Sequence, residues 1–248
     1  MDKRQSLIAH NFQGVMENIS ICALKANRSV NQIKLVVVTK NQPSEKIIEI
    51  IEAGALYLGE NYPEETIEKW NQIGNCCSNS VQIHLIGHLQ SRKIPLILNR
   101  FDAFHALDSI RLAEKINARI IQEELEPLKI FLQFNVSGEN EKFGWLADDE
   151  NKWPILTADF ERIIAMNGLQ LAGLMTMPPF VNSSEENRKY FDRLRRLKEF
   201  FIRRYPEIQI PELSMGTSQD YQTAIMEGAT FLRIGTLIMG IRNKIDKG

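Results

Sequence analysis

Nowhere in the sequence do about 18 uncharged apolar residues run together, the length a helix needs to cross a bilayer. An excess of charge is missing as well. With 30 Lys and Arg against 31 Asp and Glu, no overall field draws the chain to nucleic acid or to an anionic membrane. Only Cys22, Cys76 and Cys77 carry thiols; they cannot all pair with one another, and the vicinal pair lacks the spacing of a zinc knuckle, so reduced thiols are expected. His10, His84, His88 and His105 are scattered without an HExxH-type pair, which argues against metal ligation. No low-complexity tract and no Pro/Gly/Ser linker divides the chain, although Asn71–Ser80 and Pro178–Ser184 read as surface loops. A single domain over residues 1–248 is therefore expected, and 44% hydrophobic residues suffice for one sizeable core. The opening residues lack the continuous apolar stretch of a signal peptide and carry Asp2 and Glu17. Leu7, Ile8, Phe12, Val15, Met16 and Ile19 instead set an amphipathic helix over about residues 3–26, and a cytoplasmic protein is expected.

What the sequence does have is alternation. Short β-branched or apolar runs recur at Lys34–Thr39, Leu56–Gly59, Gln82–Ile86, Ala103–Ala106, Lys129–Val136, Gln170–Met175, Glu212–Met215 and Thr230–Ile234. Between them lie amphipathic stretches such as Ser44–Ala53, Pro63–Ile73, Ser109–Glu124, Ser184–Arg204 and Ser218–Glu227, several opened by Ser or Pro where a helix N-terminus prefers them. Eight such β/α units predict an α/β fold, a single (β/α)8 barrel of the TIM type. An open doubly wound sheet stays as the alternative, because closure is not written in periodicity. The basic run Arg193–Arg204 shares its helix with Phe191, Leu194, Leu197 and Phe201, so a solvated helix face competes there with a nucleic-acid patch.

In a parallel barrel the site is built where strands end. Lys40 directly follows Leu35-Val36-Val37-Val38-Thr39 and precedes the turn Asn41-Gln42-Pro43. A lysine at the edge of a low-dielectric core has more of the neutral amine that attacks an aldehyde. By position alone, a lysine extending its head to solvent is the better reading. Two later segments, Leu213-Ser214-Met215-Gly216-Thr217-Ser218 and Arg233-Ile234-Gly235-Thr236, end the seventh and eighth expected strands, where this architecture usually binds phosphate. Ser214, Ser218 and Thr236 offer hydroxyl donors; Ser218 also fits a helix N-cap, and Gly216 and Gly235 fit simple turns. Arg233 is the polar member of an apolar strand, which suits either a structural ion pair or a donor to the ring nitrogen of a pyridine cofactor. A nitrogen facing a group that only donates stays unprotonated, and the ring becomes a weaker electron sink. Gly59-Glu60-Asn61, Ile86-Gly87-His88-Leu89-Gln90 and Gln133-Phe134-Asn135 end further strands, with His88 as a proton carrier or a plain hydrogen-bonding residue. Glu139–Gly144 reads as a loop, either a lid or a solvated turn.

Six segments in order carry a resemblance: Lys34–Lys40, Gly59–Tyr62, His84–Gln90, Gly173–Met175, Leu213–Gly216 and Arg233–Thr236. They resemble the signature segments of the YggS/PROSC family, the pyridoxal phosphate homeostasis proteins, over about Lys34 to Arg242. The resemblance implies a fold-type III barrel like the N-terminal domain of bacterial alanine racemase, with pyridoxal 5′-phosphate (PLP) as cofactor and Lys40 as the Schiff-base lysine. It further implies that Ser214, Ser218, Gly235 and Thr236 hold the phosphate, that Arg233 approaches the pyridine nitrogen and that Asn61 lies beside the ring. Pro63-Glu64 departs from the family's usual Val-Gln, and Thr217 from its usual Met.

The function so implied is reversible PLP holding and supply to apo PLP-dependent enzymes, by a monomer without catalysis, nucleic acid, membrane or metal. A racemase of the alanine type needs a second domain with a tyrosine opposite the lysine, and six residues after Arg242 leave no room for one. The alternative is a slow PLP-dependent amino-acid racemase or lyase using His88 or water as second proton carrier. A binding module on the Arg193–Arg204 face is the third reading.

Overall fold

The computed structural model describes residues 6–73, 81–180 and 183–240. Its strands are β1 (Lys34–Val38), β2 (Tyr57–Glu60), β3 (Gln82–Leu85), β4 (Ala103–Leu107), β5 (Leu128–Asn135), β6 (Trp145–Leu146), β7 (Leu169–Met175), β8 (Glu212–Ser214) and β9 (Phe231–Ile234). All pairings are parallel in the order β4-β3-β2-β1-β9-β8-β7-β5, and β4 pairs with β5 to close the ring. The two-residue β6 pairs with β5 as a side branch and had no sequence signal of its own. Each of the eight expected strands is present, and closure excludes the open sheet. Parallel strands covered by helices are buried on both faces, which is why β1 reads as an unbroken run, with Leu35, Val36, Val37 and Val38 all buried.

The helices are α1 (Leu7–Lys25), α2 (Ser44–Glu52), α3 (Pro63–Ile73), α4 (Ile94–Ile97), α5 (Ile110–Gln122), α6 (Trp153–Ile164), α7 (Arg188–Arg204), α8 (Tyr221–Met226) and α9 (Thr236–Met239). Ser6 caps α1 by accepting from the Ala9 amide at 3.1 Å. The α1 stripe Ile8, Phe12, Val15, Ile19 and Ala23 is buried, and α1 packs against α8 and α9, the last two helices among the described residues. Asn11 donates to the Ile238 carbonyl and Arg28 to the Ile225 carbonyl, tying both ends of α1 to that seam. None of these helices is long and apolar enough to cross a membrane.

Two local expectations shift. The helix expected from Ser184 opens as a 3-10 turn, Ser184–Asn187, before α7 begins. The helix expected from Ser218 begins only at Tyr221, with Asp220 in the capping position, so Ser218 is not its cap. Asp220 Oδ1 accepts from the Thr217 amide at 2.6 Å and from its hydroxyl at 2.9 Å, and this leaves Ser218 in the connecting turn. Residues 71–73, shared by the expected helix Pro63–Ile73 and the expected loop Asn71–Ser80, belong to the helix. Cys76, Cys77, the rest of that loop, residues 3–5 of the expected first helix and residues 181–182 lie outside the described residues. Cys22 is a free thiol.

Candidate functional site

A cavity of about 910 Å³ lies over the ring formed by the strand ends. Lys40 and Val38 come to it from β1, Asn61 from β2, Gly87 and His88 from β3, Gln133 from β5, Met175 and Met177 from β7, Thr217 and Ser218 from β8, and Arg233, Gly235 and Thr236 from β9. Of the seven expected cofactor residues, six therefore share one cavity. Ser214 does not line it: the side chain is fully buried below, between His105 and Arg233.

Local backbone requirements explain how the wall is shaped. Gly216 sits at φ 94°, and a Cβ there would come within 2.6 Å of the Ala224 Cβ. Its carbonyl accepts from the Arg233 amide at 3.0 Å, which keeps the β8 and β9 ends in register. A Cβ on Gly87 would stand 2.9 Å from Asn61 Cα, so the missing side chain is what lets the β3 end approach Asn61.

The turn that carries Lys40 is held from below by a cluster that sequence reasoning missed. Lys69, on α3, donates to Glu60 Oε1 and to the Thr39 carbonyl, both at 2.9 Å, and pairs with Glu65 at 2.6 Å. The Thr39 hydroxyl donates to Glu60 Oε1 at 2.7 Å, and the Asn41 amide to Glu65 Oε1 at 2.6 Å. Thr39 is thus fixed by the buried Lys69–Glu60 pair and Asn41 by the half-buried Glu65. Burial pushes the Glu60 carboxyl upward, against the pull of Lys69 and Thr39. A signal did exist: Pro63, Thr66, Lys69 and Ile73 form the buried stripe of α3, so Lys69 stands where helical spacing asks for an apolar residue.

Arg233 is 4% exposed. Its Nη1 donates to Ser214 Oγ at 2.6 Å and its Nη2 to the Thr176 carbonyl at 2.9 Å. Burial draws its pKa down to about 10, with Asp220 acting the other way, so it remains a cation and a pure donor near neutrality. Also lining the cavity is His88, whose Nδ1 lies 2.7 Å from Asp108 Oδ2 and whose ring stacks on Phe143 at 4.1 Å. Phe143 belongs to the Glu139–Gly144 loop, whose carbonyl at Phe143 accepts from Gln133 at 3.1 Å, while Lys142 reaches the Met177 carbonyl at 3.1 Å. The loop forms a side of the cavity, with exposed Phe143, Met177 and Phe180 as an apolar rim.

The cavity offers the Lys40 amine, the Arg233 guanidinium and the hydroxyls of Ser218 and Thr236 around a space of small-molecule size. That donor set fits a phosphorylated aldehyde with an acceptor nitrogen in its ring. The basic stretch of α7 is different in kind: Arg195 pairs with Asp192, Glu199 and Glu227, and Arg196 with Glu150. Among the described residues, no group of three His, Cys, Asp or Glu gathers as for a metal.

Comparison with known proteins gives the following. The family described as "Alanine racemase, N-terminal domain" matches residues 11–243. The "Pyridoxal phosphate homeostasis protein" of Escherichia coli K12 is 35% identical over 243 residues, 97% of this chain and 99% of that one. The protein of the same name from Aquifex aeolicus is 34% identical over 228 residues, 92% of this chain and 95% of that one. The structure of PipY from Synechococcus elongatus with PLP bound superposes with a TM-score of 0.77 at 30% identity, covering 94% of this chain and 100% of that one.

Proposed function

Because the chain belongs to the pyridoxal phosphate homeostasis family, within the alanine racemase N-terminal-domain proteins, we propose that it holds PLP reversibly in the mouth cavity, attached through Lys40. PLP binding and a part in PLP homeostasis are the function; the residues that carry it are our assignment. The single observation behind that assignment is the convergence of Lys40, Asn61, Ser218, Arg233, Gly235 and Thr236 on one cavity. When bound, the cofactor supplies an aldehyde that reacts with a primary amine, and the Lys40 amine is the one placed at a strand end inside the cavity. Ser218 and Thr236 donate hydroxyls to its phosphate beside Gly235, while the Thr217 hydroxyl is already given to Asp220. Arg233 donates to the ring nitrogen and keeps it unprotonated, which restrains carbanion chemistry. A carrier rather than an enzyme follows from that restraint, and we read it as a cytoplasmic monomer that passes PLP to apo-enzymes, in keeping with the relatives' name. Borohydride reduction of the PLP-loaded protein followed by peptide mapping tests the site: the added mass falls on the Lys40 peptide. Label on any other lysine alone overturns the assignment.

One observation keeps a second reading in play. A histidine oriented by a carboxylate, as His88 is by Asp108, is the arrangement a proton carrier needs. Incubation with single-enantiomer amino acids in deuterated water separates the two. Exchange of the α-hydrogen at enzymatic rates, lost in His88→Ala, supports a slow racemase or lyase; its absence supports the carrier.

A further inference from the structure

The barrel interior holds a row of polar side chains where side-chain layers are usually apolar. Below Arg233, Ser214 Oγ lies 2.8 Å from His105 Nδ1, and His105 Nε2 lies 2.9 Å from His84 Nδ1. His84 Nε2 in turn faces Gln82 Oε1 at 3.4 Å. Arg233, Ser214, His105 and His84 are all buried, so every proton along the row needs a partner within it. Phe131 stacks on His105 at 4.0 Å, and Phe231 meets both histidine rings, which walls the row off on its sides.

The order of the protons follows from the one member that has no choice. Arg233 can only donate, and it donates to Ser214. If both histidines are neutral, two arrangements remain. In the first, the Ser214 hydroxyl gives its proton to His105 Nδ1, His105 Nε2–H donates to His84 Nδ1, and His84 Nε2–H donates to Gln82. In the second, the sense is reversed: His84 Nδ1–H donates to His105 and His105 Nδ1–H to Ser214. Ser214 then accepts twice, and its own hydroxyl proton has no place in the row. The first arrangement uses every donor and acceptor. Neutrality of both rings is in keeping with their burial and with the neighbouring cations Lys129, Lys34 and Arg233.

We propose that Ser214, His105 and His84 form a one-way hydrogen-bonded row that runs from the mouth toward the floor of the barrel and positions Arg233 for the cofactor ring. The row holds a Ser214 lone pair against Nη1 while the Thr176 carbonyl holds Nη2. Nη2 also meets Met177 Sδ at 2.9 Å on the cavity side, so the guanidinium plane is fixed from both directions and its remaining N–H groups are set for the ligand. His105 and His84 act only through Arg233 and touch no ligand. This deepens the reading of Arg233 as partner of the PLP ring nitrogen and rests on it.

The test separates the two layers. Nitrogen-15 NMR of the full chain, free of PLP and at neutral pH, reads each histidine's tautomer without any substitution. Both His84 and His105 are expected as neutral rings protonated at Nε2. A ring protonated at Nδ1, or a charged ring, overturns the row. With PLP added, Ser214→Ala is expected to release the His105 tautomer, move the absorbance maximum of the bound cofactor and loosen binding roughly tenfold. An unmoved absorbance and affinity in Ser214→Ala overturn the positioning role. Arg233→Lys tests the underlying reading by itself: if its bound PLP absorbs and binds as in the parent protein, Arg233 is not the ring partner, whatever the tautomers show.

Discussion

Strand β1 begins with Lys34 and is followed at its other end by Lys40, so one short strand sets a cation at each end of the barrel. The two ends treat them differently. Lys34 pairs with Glu212 and lies over the Phe231 ring at 4.7 Å, beside a floor cavity of about 350 Å³ lined by strand starts. Lys40 opens on a cavity of about 910 Å³ lined by strand ends, shared with Arg233, Ser218 and Thr236. At the floor, charge closes on charge; at the mouth, an amine, a guanidinium and hydroxyls converge on a common space. The identity of the residue says little, and what surrounds it decides whether it stabilises the fold or serves a ligand.

The largest effect that tests this contrast is Lys40→Ala. We expect complete loss of borohydride-trapped PLP with the folded state retained, since the side chain lies at the cavity wall rather than in the core. Mass spectrometry of the reduced protein reads it, and persistent label at full stoichiometry would break the contrast at its centre. Next comes the support beneath the mouth. Lys69→Met leaves the buried Glu60 carboxylate without its cation, and breaking one side of such a pair costs about 3–5 kcal/mol of stability. Urea unfolding measures this. Adding Glu60→Gln in the same chain removes the stranded charge and should recover part of the loss.

The β1 run, the glycines after β3 and β8 and the order of the strand ends were legible because parallel strands buried on both faces demand unbroken apolar stretches. The placement of Lys40, Asn61 and Thr236 on the cavity was legible for the converse reason, as polar residues where the pattern had just ended, and that of Arg233 as the polar member of an apolar strand. What escaped was set by tertiary contact. Ser214 was placed on the phosphate because it ends β8, yet it points inward to His105, across the ring on β4. His84 and His105 are 21 positions apart, and no local spacing announces that they meet at 2.9 Å inside the barrel. Thr39, Glu60 and Lys69 come from a strand end, the next strand and a helix, and only the β1–β2 pairing and the packing of α3 bring them together beside Lys40. The Ser218 cap failed because Asp220, two residues later, competes for the same helix start.

The histidine row gives the third test, through pH. An unfolded imidazole takes a proton near pH 6.5, whereas in the folded protein burial, with Lys129 and Lys34 nearby, holds His84 down to about 3 and His105 also well below its ordinary value. Between those limits the unfolded chain binds the extra protons. Stability is therefore full above about pH 6.5 and falls as pH drops, by about 1 kcal/mol per pH unit for each histidine. Urea midpoints of the PLP-free protein between pH 7 and pH 5 should show this slope, and His84→Gln should flatten it by about half. A flat profile in the parent protein would mean that the row takes up protons in the folded state and would remove the physical basis for its fixed sense.

The smallest expected effect returns to Lys34. Its side chain and that of Glu212 are 30% and 17% exposed, so their pairing is screened and Lys34→Ala should lower stability by about 1 kcal/mol or less. Trapping of PLP on Lys40 should be unchanged, because the row toward the floor ends at neutral groups, His84 and Gln82, and needs no charge from Lys34. A Lys34→Ala protein that folds normally but no longer loads PLP would show that the two ends of the barrel are not independent. It would make the floor cation part of what holds Arg233 in place.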